Sequence, residues 1–478
     1  MTEPTTNADI EAVMQRASLA AAVFTELDQA QTDRIVRAVF EVGFNHRVRL
    51  AKLAAEETGL GKWQDKVIKN VLGTQLVYDD IKHLKTVGIV NEDPITGIVE
   101  IAQPMGPILA IIPITNPTST TLFKILICLK SRNPIILSPS RKARRCVAET
   151  ARLCYEAALA ADAPEDCIQW LPDGSREQTQ VLMSHRRLAL ILATGGSGLV
   201  QSAYSSGTPT LGVGAGNVPV FIEASADVAF AVAQIMTSKL FDYGTVCASE
   251  QAVVVERAVA PQVEAEFRKR GAVFLDAAGV TKLETVAIDA KTGQMNSAVV
   301  GQSATTIARL AGLDVPTDTQ MLMAPLPGVG KEYPLSGEVL APILAYYVVE
   351  DFDRAVNVCI DLNFHGGIGH TASLFSNDEA KIQRFAMLMN AGRILVNQPS
   401  AQGAVGGLFN MLNPSLTLGC GTGGKNITTD NVSARHLLNI QRIARRRVNN
   451  RLAQFDQAKY LDESFDTTAL EQQFNRNW

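Results

Sequence analysis

From Ala8 to about His83, apolar residues recur at helical spacing, as in Ile35, Val36, Val39, Phe40 and Phe44, and Gly59 and Gly61 interrupt the run. That periodicity predicts three helices. After Asp93-Pro94 the pattern changes to short apolar runs bounded by Gly and Pro, 98–102 and then 108–112, which predicts a strand pair or hairpin over Ile98 to Ile112. Beyond it, buried-strand runs (134–137, 168–171, 188–192) alternate with helical stretches (143–159, 176–183, 198–205). Such alternation is the signature of a parallel sheet covered on both faces. A second alternating region begins near Phe241, with strands expected at 252–255, 272–274, 343–349 and 393–397, and reads as a second α/β domain. From Ser433 the chain reads as a basic helix carrying Arg442, Arg445, Arg446, Arg447 and Arg451, followed by a polar tail.

Composition narrows the functional classes. With 46% hydrophobic and 19% charged residues in 478, the chain is a folded protein of two or three domains. The 44 basic and 48 acidic residues leave a net charge of −4, too little for the positive field that non-specific nucleic-acid binding needs. The longest apolar stretches, Met105 to Ile114 and Val339 to Val349, fall short of the roughly 18 residues of a membrane span, so no membrane partner is expected. Seven cysteines, an odd number without a CxxC pair or metal-ligand spacing, and a polar start that does not read as a signal peptide point to a reducing cytoplasm and no metal.

Two glycine clusters and one cysteine stand out as chemistry. Leu190 to Val200 reads as a buried strand, a glycine-rich turn (Thr194-Gly195-Gly196-Ser197-Gly198) and a helix start, where unpaired N–H groups can face a phosphate. A second cluster, Gly212-Val213-Gly214-Ala215-Gly216-Asn217, follows about fifteen residues later. Six of the cysteines read as small core residues. Cys247 differs, because Gly244, Thr245, Ser249 and Glu250 surround it, a setting suited to a nucleophile at a cleft.

In this order, Pro113-Ile114-Thr115-Asn116-Pro117, the two glycine clusters, the Cys247 segment, Gly337-Glu338-Val339-Leu340-Ala341-Pro342 and Gly369-His370-Thr371-Ala372 resemble the aldehyde dehydrogenase superfamily, from about Ala8 to Arg447. Asn397 to Gly403, Pro414 to Gly421 and Arg435 to Ile440 are similar to its coenzyme A-acylating branch, as in the aldehyde dehydrogenase half of bifunctional aldehyde-alcohol dehydrogenases. The resemblance implies an α/β fold: a Rossmann-type cofactor domain (1–97 and 113–240), an α/β catalytic domain (241–425), and bridging segments with a small oligomerisation hairpin (98–112 and 426–447) that join subunits into a homodimer or dimer of dimers. A tail (448–478) follows.

It also implies roles. Cys247 attacks the aldehyde, and the Asn116 amide with the Cys247 N–H forms an oxyanion hole. Glu338 binds the nicotinamide ribose, while Ser138, Ser140, Arg141, Thr194, Gly195, Gly196, Ser197, Gly212 and Gly214 surround NAD or NADP. His370 orients or deprotonates coenzyme A. Where hydrolytic members carry a water-activating glutamate this chain has Gly212, so coenzyme A, whose thiol ionises far more readily than water, is the expected acyl acceptor. The alternatives are a hydrolytic dehydrogenase with a carboxylate supplied from elsewhere and a non-catalytic family member. Arg141 stands where NAD-preferring members carry a glutamate, with Lys142, Arg144 and Arg145 beside it. Arginine there suits the 2'-phosphate of NADP or the phosphates of coenzyme A. The substrate stays open among acetaldehyde, propionaldehyde, succinic semialdehyde and sulfoacetaldehyde.

Overall fold

The structure is a computed structural model that describes residues 7–172, 175–446, 451–452 and 455–476. Contacts divide the chain into two units, Met1–Gly88 with Gln103–Asn439, and Ile89–Ala102 with Ile440–Trp478. Among the described residues no helix is long and apolar enough to cross a membrane.

The larger unit holds two parallel sheets. The first has the order β5-β4-β3-β6-β7, from strands β3 (Ile108–Ile112), β4 (Ile135–Pro139), β5 (Ile168–Trp170), β6 (Leu190–Thr194) and β7 (Thr210–Val213). Successive residues of its strands enter different cores: Ile108, Ala110, Ile112, Leu190 and Leu192 join one cluster, and Leu109, Ile111, Ile191 and Ala193 the other. A strand buried on both faces has no polar side to show, which is why these runs are continuously apolar. The second sheet has the order β10-β11-β12-β9-β8-β13-β14, from β8 (Val218–Ile222), β9 (Glu250–Glu256), β10 (Ala272–Phe274), β11 (Met321–Pro325), β12 (Ile343–Val349), β13 (Ala372–Phe375) and β14 (Ile394–Val396). Val253 and Val255 face one core, Ala252 and Val254 the other.

Several expected elements fall elsewhere. The N-terminal region forms four helical segments rather than three: Asn7–Glu26, Gln29–Asn45, Arg47–Thr58 and Trp63–Val71, the last running on through a π-helical turn to Ile81. The extra start comes from Asp28, whose side chain accepts from the Gln31 N–H while Gln31 accepts from the Asp28 N–H, a reciprocal cap that begins a new helix. The hairpin also sits one strand earlier than expected. It is β1 (Gly88–Asp93) and β2 (Ile98–Pro104), which with β15 (Leu438–Ala444) make a separate three-stranded sheet. Ile108–Ile112 lies instead in the middle of the first sheet, because all five residues are buried and a two-stranded ribbon could not cover both faces. The second sheet begins at Val218, ahead of Phe241. The basic helix expected from Ser433 is a single 3-10 turn, Ala434–Leu437, and then strand β15, where Leu438 and Ile440 alternate with the exposed Asn439 and Gln441. Period-two alternation fits a strand and leaves a helix without a coherent apolar face. Arg442 lies in that strand and pairs with Glu100 of β2, and Arg447 lies outside the described residues.

Candidate active site

In the first sheet the strand order reverses beside β3, and parallel sheets leave a ligand crevice beyond the carboxyl ends of the strands at such a point. A cavity of about 620 Å³ opens there, lined by Ile112 and Pro113 at the end of β3, Ser138 and Ser140 at the end of β4, Thr194 to Gly196 at the end of β6, and Val213 to Ala215 at the end of β7. Thr115, Asn116, Thr245, Cys247, Gln294, Val300, Glu338 and Leu340 add to the wall from the connecting segments. The chemistry expected of Cys247 and the nucleotide contacts therefore share one space.

The first glycine cluster forms a bare-backbone cradle. A Cβ added at Gly196 or Gly198 meets no protein atom within 4 Å, and one at Gly195 meets only Leu199 at 3.5 Å, so side chains there would fill the cavity rather than collide with the fold. Gly196 caps the helix Ser197–Tyr204 without a side-chain hydrogen bond, leaving its first amides for a phosphate. The fit supports a dinucleotide. The side chain of Ser197 lies outside the described residues. Gly214 lines the cavity, whereas Gly212 is buried within β7, its carbonyl accepting from the Tyr204 hydroxyl (3.0 Å) and from Asn426 Nδ2 (2.7 Å). Gly216 serves packing instead, because a Cβ there would collide with the Cys247 carbonyl, and glycine lets the two loops touch.

Cys247 is half-buried on the cavity wall, while the other six cysteines are buried. Burial pushes its thiol up to about 12, with the charges of Glu338 and Cys420 adding and Arg393 opposing. The resting thiol is thus protonated at neutral pH. Glu338 is itself raised by burial to about 7, against the pull of the Gly216 N–H, which donates to its Oε1 at 2.9 Å, and of Lys239. Asn116 precedes the helix Pro117–Lys130 yet makes no side-chain cap bond. Its Oδ1 instead accepts from Lys69 Nζ at 2.6 Å, and its Nδ2 donates to Thr115 Oγ1 at 3.1 Å, which leaves one amide N–H unused.

Residues 2–410 match the description "Aldehyde dehydrogenase family". The chain belongs to the aldehyde dehydrogenase family. It is 43% identical over 446 residues to the bifunctional aldehyde-alcohol dehydrogenase AdhE of Escherichia coli K12, covering 92% of this chain and 50% of that protein. It spans about half the length of the aldehyde-alcohol dehydrogenases it matches. Among solved structures, an acetylating aldehyde dehydrogenase from Geobacillus thermoglucosidasius superposes with a TM-score of 0.90 at 43% identity, covering 92% of this chain and 97% of that one. A propionaldehyde dehydrogenase of Rhodopseudomonas palustris, solved with bound CoA and an acylated cysteine, superposes with a TM-score of 0.82 at 26% identity, covering 91% and 97%.

In this aldehyde dehydrogenase-family chain, two further residues singled out from the sequence, besides Gly212, stand off the cavity wall. Arg141 is exposed in the short turn Arg141–Ala143 and does not line the cavity; Arg176, at the start of the helix Arg176–Met183, does. The crossing from β4 to that helix is invisible in sequence, where 35 residues separate the two arginines. His370 is buried beneath Gly216. Burial, with Arg393 adding, pushes it down to about 3, so it is neutral; Nδ1 lies 2.9 Å from Thr371 Oγ1 and Nε2 has no hydrogen-bond partner among the described residues. Lys66, Lys69 and Asp242, which sequence reasoning misses, form a buried cluster behind Asn116. The available signal is the spacing Lys62, Lys66, Lys69, which on its own reads as a solvated helix face.

Proposed function

We propose that the chain is a coenzyme A-acylating aldehyde dehydrogenase, in which a short uncharged aldehyde, coenzyme A and NAD(P)+ give the acyl-CoA, NAD(P)H and a proton. The observation that carries it is Cys247 on the wall of a cavity that also holds a bare glycine cradle and, among the described residues, a single carboxylate, Glu338, tied to the Gly216 N–H. Cys247, once deprotonated, attacks the aldehyde carbon, and the carbonyl electron pair moves to oxygen. The Asn116 amide and the Cys247 N–H hold that oxyanion. NAD(P)+, when bound, supplies the hydride acceptor. As the C=O reforms the hydride departs, leaving a thioester on Cys247. The thiolate of coenzyme A then adds to the thioester and expels the Cys247 thiolate, with one proton released overall. His370, buried behind Gly216 and off the wall, is too weak a base at about 3 to take that proton, so the role proposed for it is positioning rather than deprotonation.

Substrate charge follows from the wall. Among the described residues the wall carries one cation, Arg176. With Arg176 assigned to the nucleotide phosphate, the wall offers an anionic aldehyde no second cation, which supports acetaldehyde or propionaldehyde over succinic semialdehyde or sulfoacetaldehyde. Seven free cysteines support a reducing compartment, and the β1-β2-β15 sheet, with its open edges, is the proposed subunit junction.

An aldehyde panel with and without coenzyme A, read by NAD(P)H absorbance and by mass spectrometry of the product, tests the proposal. Thioester formation strictly dependent on coenzyme A is expected. Stoichiometric free acid without coenzyme A overturns the proposal in favour of hydrolysis. Cofactor preference is tested at Arg176. Arg176→Glu is expected to lower kcat/KM for NADP+ by roughly 10- to 100-fold relative to NAD+, because a charge-assisted bond to the 2'-phosphate is lost. Arg141→Glu, off the wall, should change the ratio less. An equal loss for both nucleotides at Arg176 would show that it does not read the phosphate.

A further inference from the structure

We infer that Lys69 is a positioning residue for the oxyanion hole, a role that rests on the acylating reading above: its ammonium fixes the Asn116 amide and ties it to the loop that carries Cys247. An ammonium has three donors, and all three of Lys69 are committed: to Asn116 Oδ1 (2.6 Å), Asp242 Oδ2 (2.5 Å) and Thr245 Oγ1 (3.0 Å). Asn116 comes from the end of the first sheet's crevice, whereas Asp242 and Thr245 lie five and two residues before Cys247. One buried cation thereby joins both donors of the proposed hole.

The contact settles which way the amide faces. With Oδ1 on the ammonium, Nδ2 is turned away from it, one N–H bonding Thr115 Oγ1 and the other unused. Flipping the amide would set an N–H against an N–H in a site where Lys69 is only 3% exposed, leaving buried donors unpaired. Withdrawal of electron density through Oδ1 also strengthens the free N–H as a donor, since linked hydrogen bonds polarise one another.

The rest of the cluster holds Lys69 in place. Lys66 Nζ donates to the same Asp242 oxygen at 2.9 Å, the Lys62 N–H donates to Asp242 Oδ1 at 2.7 Å, and the Asp242 N–H donates to Asp65 Oδ2 at 2.8 Å. Asp242 and Tyr243 adopt left-handed backbone, φ 51° and 52°, a conformation that needs such support in non-glycine residues. A Cβ on Gly61 would collide with the Asp242 carboxylate, so this glycine lets the loop close over it. Burial raises Asp242 but Lys69 and Lys66 outweigh it and hold the carboxyl below its usual range; burial likewise lowers Lys69 to about 8, against Asp242. The groups facing Lys69 are thus Asp242 from the Cys247 loop, Lys66 and Asp65 from its own helix, and the Phe241 ring, 5.7 Å from Nζ.

The experiment is a double-mutant cycle between Lys69 and Asn116 on the full chain, with a saturating aldehyde and coenzyme A. Lys69→Met, which keeps the side-chain length but no donor, is expected to lower kcat by roughly 10- to 100-fold, with the nucleotide dissociation constant unchanged. In the Asn116→Ala background it should cost little further, because the amide it positions is gone. Lys69→Gln, which keeps a donor toward Asn116, should fall between wild type and Lys69→Met, and it carries the test if the methionine variant does not fold. Full additivity with Asn116→Ala, or a kcat within twofold of wild type, overturns the inference alone. A wild-type chain without coenzyme A-dependent turnover overturns the functional reading and the inference with it.

Discussion

Cys247→Ala is expected to abolish aldehyde-dependent NAD(P)H formation, with nucleotide binding retained. The thiolate makes the one covalent bond between protein and substrate in the proposed sequence, and no other cysteine can replace it, since the remaining six are buried. The proposed nucleotide contacts come from the glycine cradle and the ends of β4 and β6, which the alanine leaves untouched. Substantial turnover by the purified variant would remove Cys247 from its role. The pH dependence gives a second check on the native chain. With the thiol raised to about 12, the thiolate is a small fraction at neutral pH and grows as pH rises, so alkylation of Cys247 by iodoacetamide should accelerate by about tenfold per pH unit above pH 8. Ionised Glu338 opposes the thiolate, so Glu338→Gln should speed alkylation at pH 8 in the absence of nucleotide. A plateau below pH 9 would show that the thiol ionises far more readily than its burial implies.

Asn116→Ala is expected to lower kcat by on the order of 100- to 1000-fold while nucleotide affinity holds, the loss typical of one oxyanion donor. The side chain has no capping duty that could confuse the result, because the helix Pro117–Lys130 starts without a bond from it. Its removal does leave the buried Lys69 ammonium one acceptor short, a cost of about 1–3 kcal/mol in stability. The melting temperature should be measured alongside, and the comparison made well below it. Asn116→Asp is the sharper variant: it satisfies Lys69 with a carboxylate but offers no amide N–H, so it should be as inactive as alanine and no less stable. Activity above a tenth of wild type in a folded Asn116→Asp chain would take the amide out of the oxyanion hole.

Much of the architecture is legible in the sequence because local pattern and burial agree. The strands at 272–274 and 343–349 and the helix at 176–183 fall where the apolar runs and their boundaries put them. Where expectation and structure part, a short apolar run has two possible neighbours. Ile108–Ile112 reads equally as the second arm of a hairpin or as a central strand, and only its two covering cores decide. The basic stretch after Ser433 misleads because its arginines mask the alternation of Leu438 and Ile440 beside them.

The sequence by itself determined the parallel α/β class, the family, the distinctive cysteine and the two glycine clusters, because these depend on residue type, local period and order along the chain. The folded chain decides which of two arginines 35 residues apart reaches the cavity, that His370 is buried and neutral, and that the Lys66–Lys69 helix face meets Asp242 from a distant segment behind Asn116. The physical reason is that a side chain's ionisation and reach are set by the neighbours that remove it from water, and those neighbours come from other strands and helices. Lys69 and Asp242, 173 positions apart, are one buried ion pair only in the folded chain.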